Sequence, residues 1–181
     1  MASDYEVSAH YVSSLAKVLE HQRLFQVCPP AATRALENPW ANWWWPGSVV
    51  ESVFVAVRDQ AGDETLRTVS EALVRQHMVP SLVPAVSWVL SASGVRPSTL
   101  FARLDLLSRT LLRGVRFEWT PDGHNAGTLH VRYPAPAQDP AVMAQVWRGL
   151  FEQVFALTHA SGEVTEIAAA DGVVTARVRW S

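Results

Sequence analysis

The chain has 181 residues, 49% of them hydrophobic and 18% charged, enough to bury a core without disulfides and far from the composition of disordered chains. Fifteen basic residues face 17 acidic ones, 10 against 10 up to Gly114 and 5 against 7 beyond it, so no basic surface is available for nucleic acid binding by counterion release. No apolar run reaches the roughly 18 to 20 residues of a membrane span, the start Met-Ala-Ser-Asp-Tyr-Glu lacks the features of a secretory signal, and a lone Cys28 forms no internal disulfide; the expectation is one cytoplasmic domain, 1–181, with neither nucleic acid nor membrane as partner.

Residues 1–114 read as helical. Val7, Tyr11, Leu15, Val18 and Leu19 have helical spacing, and the stretch Val7 to Leu24 must stop at Cys28-Pro29-Pro30, because two prolines forbid continuation. After a second break at Pro39 to Gly47, the apolar run Val49 to Val57 reads as a buried helix started by Pro46-Gly47-Ser48. Glu64 to Met78 carries Leu66, Val69, Leu73 and Val74 on one side and ends at Val79-Pro80; Leu82 to Leu90 forms a short helix closed by Gly94. Pro97-Ser98 then opens the clearest helix of this half, with Ser98 as cap and a stripe of Leu100, Phe101, Leu104, Leu107, Leu111 and Leu112.

From Val115 onward the period changes. Val115 to Trp119 and Thr128 to Tyr133 alternate apolar with polar residues around Pro121-Asp122-Gly123, as half-buried strands joined by a turn do. Val164 to Ala169 and Val173 to Trp180 form a second pair joined at Asp171-Gly172, a dipeptide that tolerates positive φ. Between the pairs, Asp139 stands as N-cap, Pro140 as first helical residue, and Val142, Met143, Val146, Trp147, Leu150, Phe151, Val154 and Phe155 as a wide apolar stripe. The predicted class is α+β, with a helical N-terminal half (residues 1–114) packed on a four-stranded antiparallel sheet of ββαββ order (residues 115–181).

Chemistry-bearing patterns are sparse. Phosphate loops, nucleophile elbows and paired-carboxylate motifs are missing, and the six histidines form no Cys/His cluster or i, i+4 pair; the reading leans against an enzyme, and no metal or catalytic residue is assigned. His77-Met78, at a helix end, offers axial ligands to a haem, and Cys28-Pro29 is the dipeptide of haem-regulatory motifs; for both the structural reading is preferred. Two groups stand as candidate ligand- or partner-binding residues. The first is Trp40, Trp43, Trp44 and Trp45, four of the chain's eight tryptophans in six residues, whose indoles suit a pocket wall, a partner interface or a loop anchored in the core. Neighbouring side chains diverge, so at least one of Trp43, Trp44 and Trp45 is expected to be exposed or to line a cavity. The second is Arg116, Arg132, Arg177 and Arg179 with His130, on the polar parity of their strands with Glu118 and Glu166, a face that binds an anion or a charged partner if it is not simply solvated.

The whole pattern, a helical half followed by Val115 to Trp119, Gly127-Thr-Leu-His-Val-Arg-Tyr133, the helix at 139–159 and a hairpin closing on Ala-Arg-Val-Arg-Trp180, resembles the haem-NO-binding, vinyl-reductase-like and TRAPP-like superfamily over about residues 45 to 180. It is most similar to an uncharacterised myxobacterial branch, and Ser91 to Tyr133 is similar to effector-sensing domains of AraC-type regulators. In the haem-binding members a Tyr-x-Ser-x-Arg motif holds the propionates, whereas this chain has Tyr133-Pro-Ala-Pro-Ala137. The resemblance therefore implies a non-catalytic ligand-binding or signalling regulator that acts through a partner protein and associates in pairs, with a small apolar ligand; the expected cofactor is none, haem being disfavoured. The alternatives are an adaptor with no small-molecule ligand and a tetrapyrrole-handling protein.

Overall fold

The computed structural model describes residues 5–78 and 96–181, without the side chains of 76–78. The chain starts with a short strand, β1 (Glu6–Ser8), and turns directly into α1 (Ala9–His21), whose first turn is capped by the Ser8 hydroxyl accepting from the Tyr11 N–H. The predicted helix from Val7 is thus one strand and one helix, and the switch falls at the serine. After a 3₁₀ turn at Phe25–Val27, the prolines that break the helix also begin the next one: Pro30 is the first residue of α2 (Pro30–Glu37). The Pro39 to Gly47 break holds a 3₁₀ turn and a strand, β2 (Trp44–Pro46).

The two helices expected at 49–57 and 64–78 are segments of one, α3 (Gly47–Ala72), interrupted where Gly62 adopts φ 82° and ψ 170°, and it runs on as a π-helical turn, Leu73–Met78. Leu82 to Leu90 and Gly94 lie outside the described residues. The long leucine-striped helix expected from Pro97 to Leu112 does not form as one piece. It is α4 (Pro97–Phe101), α5 (Leu104–Ser108) and a two-residue strand β3 (Leu112–Arg113), and the cap position falls on Arg96, with no contribution from Ser98. β2, β1 and β3 pair as a small antiparallel sheet, with Val7 opposite both Trp45 and Leu112.

The C-terminal half follows its pattern. β4 (Arg116–Pro121) and β5 (Ala126–Arg132) form one hairpin, β6 (Gly162–Ala170) and β7 (Val173–Trp180) the other, and the sheet order is β4-β5-β7-β6, all antiparallel. Asp171 and Gly172 carry φ of 50° and 75° at the second turn. A bulge between Val164 and Glu166 restores the parity of β6. Between the hairpins lies α6 (Pro140–Thr158), with the Asp139 carboxylate accepting from the Val142 N–H at 3.1 Å. α6 buries its stripe on two sides, against α3 and against the sheet face made of Leu129, Val131, Val174, Ala176 and Val178. One hydrophobic cluster runs through both halves of the chain.

Candidate functional site

Where α6 meets the segment 100–117, the core is incompletely filled and leaves a cavity of about 110 Å³. One wall is α6, from Trp147 through Leu150, Phe151 and Val154 to Leu157; the opposite wall is Leu100, Leu104, Leu107, Leu111 and Leu112, with Tyr11 of α1, Val74 and Phe117 closing it. The leucine stripe that reads in sequence as a helix face is therefore half of a cavity wall. Breaking the helix into α4, α5 and β3 lets those leucines line a concave surface.

Among the described residues, the polar side-chain groups of this wall have partners elsewhere or are held neutral. The Trp147 indole N–H donates to the Tyr133 hydroxyl, and the Ser108 hydroxyl donates to the Asp105 carbonyl at 3.1 Å. Burial pushes the Tyr11 phenol far above its ordinary range, so it stays protonated. The Trp147 ring stacks on Phe151 at 5.6 Å and takes the edge of Phe117 at 5.2 Å. A cavity with this apolar lining suits small apolar molecules, as engineered cavities of about 150 Å³ take benzene or xenon.

The four tryptophans do not act together. Trp40 and Trp43 are 57% and 77% exposed and meet edge to face at 5.9 Å. Trp44 lies under the Arg113 guanidinium, 3.8 Å from ring centroid to carbon. Trp45 packs against the core and donates its N–H to the Pro39 carbonyl at 2.7 Å. The expectation that one of Trp43, Trp44 and Trp45 is exposed is thus met by Trp43, and none of the four lines the cavity.

The basic residues of the sheet also separate. Arg132 pairs with Glu118 at 2.9 Å and Arg177 with Glu166 at 3.3 Å, while Arg179 pairs with Glu163; His130 shares a 3.1 Å hydrogen bond with Thr175. That face neutralises itself residue by residue. Arg116 makes no ion pair among the described residues and lies instead in a cleft with Arg109 and Arg113. Cys28 is half-buried, its thiol pushed up to about 11 by burial and donating to the Leu24 carbonyl at 3.9 Å. The side chain of His77 lies outside the described residues.

No protein-family model matches the chain, and no curated protein does. Its fold does have solved counterparts. A crystal structure of an Fe(II) unliganded H-NOX protein from K. algicida is similar with a TM-score of 0.65 and 11% identity, covering 96% of each chain. An oxygen-binding H-NOX domain related to soluble guanylate cyclases matches with a TM-score of 0.57 and 17% identity, over 94% of this chain and 92% of the other. A mutant of the T. tengcongensis H-NOX matches with the same TM-score and identity, over 94% and 96%. The fold of this chain is that of H-NOX domains.

This finding corrects one expectation. Haem was disfavoured, and no cofactor expected, because Ser and Arg do not follow Tyr133; the structures matched include ones described by haem distortion and by haem redox potential, so haem is the cofactor this fold implies. The loss of two residues in a loop leaves a fold intact, which is why the motif was a poor guide. The cavity itself tests the fit. Its leucines and aromatic rings are apolar as a macrocycle requires, but at about 110 Å³ it has room for a molecule of benzene's size and not for a porphyrin. Haem iron is held by imidazole, thiolate, thioether or phenolate, and the described lining residues offer only the Tyr11 phenol, which burial keeps protonated. His10 Nε2, the one buried side-chain polar atom without a partner among the described residues, belongs to α1 but does not line the cavity. The described residues thus neither enclose room for the macrocycle nor supply an axial ligand for its iron.

Proposed function

We propose that the chain is a non-catalytic sensory domain that holds its ligand in the cavity between α6 and the leucines of α4, α5 and β3, and passes the bound state to a partner protein. One observation carries this reading: the cavity lies at the seam of the helical and sheet halves and is walled by both, so a ligand inside changes contacts on both sides, as a signal requires. The likeness to H-NOX domains, one of them oxygen-binding and related to soluble guanylate cyclases, supports a sensory role and makes haem the first ligand to test. A narrower kinship with vinyl-reductase-like and TRAPP-like chains, association in pairs and a cytoplasmic setting belong to the same proposal.

Titration of the purified protein with hemin and, in parallel, with benzene tests it. The expected result is saturable binding of at least one of them with a rise in melting temperature, since a ligand that binds only the folded form stabilises it by mass action. A sharp, stoichiometric Soret band lost in His77→Ala identifies the iron ligand. If neither compound raises the melting temperature, the sensory reading fails. A second reading, an adaptor working through its surface, is favoured by the exposed pair Trp40 and Trp43, because contiguous exposed indoles act as anchors at interfaces.

A further inference from the structure

We infer that the cleft formed by Arg109, Arg113 and Arg116 is the second half of the ligand site and receives a singly charged carboxylate on an otherwise apolar ligand. The inference rests on the cavity being the ligand site and adds the chemical class of what enters it. The cleft, about 510 Å³, lies beside the cavity and shares Leu112 with it. Along α5 and its C-cap the two alternate: Leu104 and Ser108 line the cavity, Asp105 and the capping Arg109 the cleft. The two thus adjoin at Leu112, and on this inference a molecule with its apolar body in the first places its charged end at the second.

The charge of the cleft sets the charge of that end. Asp105 is fully engaged, one carboxylate oxygen accepting from Arg109 at 2.7 Å and the other from the Phe117 N–H at 3.1 Å. Arg113 reaches Glu6 at 3.7 Å and lies over the Trp44 ring, a face-on contact that leaves guanidinium N–H groups at its edge for an acceptor. Arg116 has no carboxylate partner among the described residues, and its cross-strand neighbour is another arginine, Arg132, already paired with Glu118. Two of the three guanidiniums are thus matched by carboxylates and one positive charge is left over, which suits a monocarboxylate better than a dianionic phosphate. The backbone holds the group together: Gly114, at φ 82° and packed against the Tyr5 backbone, makes the turn that brings Arg113 and Arg116 into one cleft.

Two sources offer a carboxylate on an apolar body, a fatty-acid-like chain with one and haem, whose two propionates exceed the single charge left over, and the experiment separates them. Binding of octanoate, 1-octanol and octyl phosphate is measured by calorimetry on the full chain, as is binding of hemin and its dimethyl ester, for the native protein, Arg116→Gln and Arg132→Gln. The native protein is expected to prefer octanoate over octanol, or hemin over its ester, by roughly tenfold. That preference should fall to near unity in Arg116→Gln, persist in Arg132→Gln and weaken with salt. Which pair shows it names the source. Equal affinity for charged and uncharged partners, a preference that survives Arg116→Gln, or tighter binding of octyl phosphate overturns the inference while leaving the cavity reading in place. If no compound binds at all, both fail.

Discussion

Phe151→Ala probes the packing that defines the cavity. Phe151 is 1% exposed, stacks on Trp147 at 5.6 Å and meets Phe101 edge to face at 6.3 Å. Truncating a buried Phe to Ala removes its transfer free energy and leaves a void, together costing about 3 to 5 kcal/mol, and lost aromatic contacts contribute about 0.5 to 1.5 kcal/mol of such a figure. One side of this ring already faces the cavity, so contacts on that side are absent from the start; the expected loss is at the low end, about 3 kcal/mol. Phe54, 0% exposed and not in the cavity wall, supplies the comparison at about 5 kcal/mol. Urea melts read the difference directly, because with a slope of about 1 to 3 kcal/mol per molar a 3 kcal/mol loss moves the midpoint by about 1 to 3 M. Benzene should also restore some of the stability of Phe151→Ala and none of that of Phe54→Ala. A loss under about 1 kcal/mol in both Phe151→Ala and Trp147→Ala would show that the wrong face of α6 has been placed inside, and equal losses for Phe151 and Phe54 would remove the void.

Asp139→Ala should lose about 0.5 to 2 kcal/mol as the cap of α6 is removed, while Asp139→Asn, which keeps an acceptor, should lose less; thermal melts of both decide it. The Val142 N–H, and beyond it Arg58 at 2.7 Å, hold the Asp139 carboxyl below its ordinary range against the opposing effect of burial. The stability this confers is therefore present above the unfolded value of about 3.9 and lost as pH falls through the lower folded value, so melts between pH 6 and 2 should fall less steeply at the acid end for Asp139→Asn than for the native chain. Gly127→Ala should destabilise by about 1 to 3 kcal/mol, since a Cβ there would sit 2.1 Å from the Trp119 ring and 2.7 Å from the Thr120 carbonyl oxygen; a native-like urea midpoint would place that ring elsewhere. Trp40→Ala with Trp43→Ala should leave the melting temperature nearly unchanged and, on the adaptor reading, lower the apparent mass on sizing, whereas Trp45→Ala, which loses a hydrogen bond and core packing, should lower the melting temperature.

The C-terminal half was legible because its signals are local. Alternation sets which face of β4, β5 and β7 is buried, Asp171-Gly172 sets the turn, and Asp139-Pro140 sets the start of α6; each acts within a few residues, and all agree. The N-terminal half was less legible because its decisive contacts are distant. β1, β2 and β3 have only three, three and two residues, too short for any periodicity, and β1 finds its partners far along the chain, at Trp44–Pro46 and at Leu112–Arg113. Leu100 to Leu112 carries a flawless helical stripe, yet the chain turns at Ala102-Arg103 and again after Ser108, trading helix length for a concave leucine wall. No periodic pattern distinguishes a face that is filled from one that surrounds a void. The arginines show the same limit: strand parity grouped Arg116 with Arg132, Arg177 and Arg179, but register sets Glu166 and Glu163 opposite Arg177 and Arg179 and Glu118 diagonal to Arg132, while it sets Arg116 opposite another arginine.

That separation joins the cavity to the rest of the molecule in a specific direction. Trp147, in the cavity wall, donates to Tyr133 at the end of β5; the Tyr133 ring packs edge to face on Tyr5 at 5.1 Å, just before β1. Tyr5 in turn packs on Gly47 at the start of α3, where the buried Glu51 accepts from the Gln138 N–H at 2.8 Å, one residue before the cap of α6. Burial, joined for both by the neighbouring Glu51 charge, holds the Tyr5 and Tyr133 phenols neutral across the working pH range, so these contacts depend on packing and not on titration. On the sensory reading, a ligand that displaces the Trp147 ring must either break its hydrogen bond to Tyr133 or carry Tyr133 with it, and both routes lead to β1, the small sheet and the tryptophan loop on β2. Tyr133→Phe keeps the ring and removes the acceptor, at a residue outside the cavity wall. If the loop is the output surface, this variant should keep ligand affinity and lose the ligand-dependent change in Trp40 and Trp43 quenching by iodide; quenching that still responds to ligand would show that the signal leaves by another path.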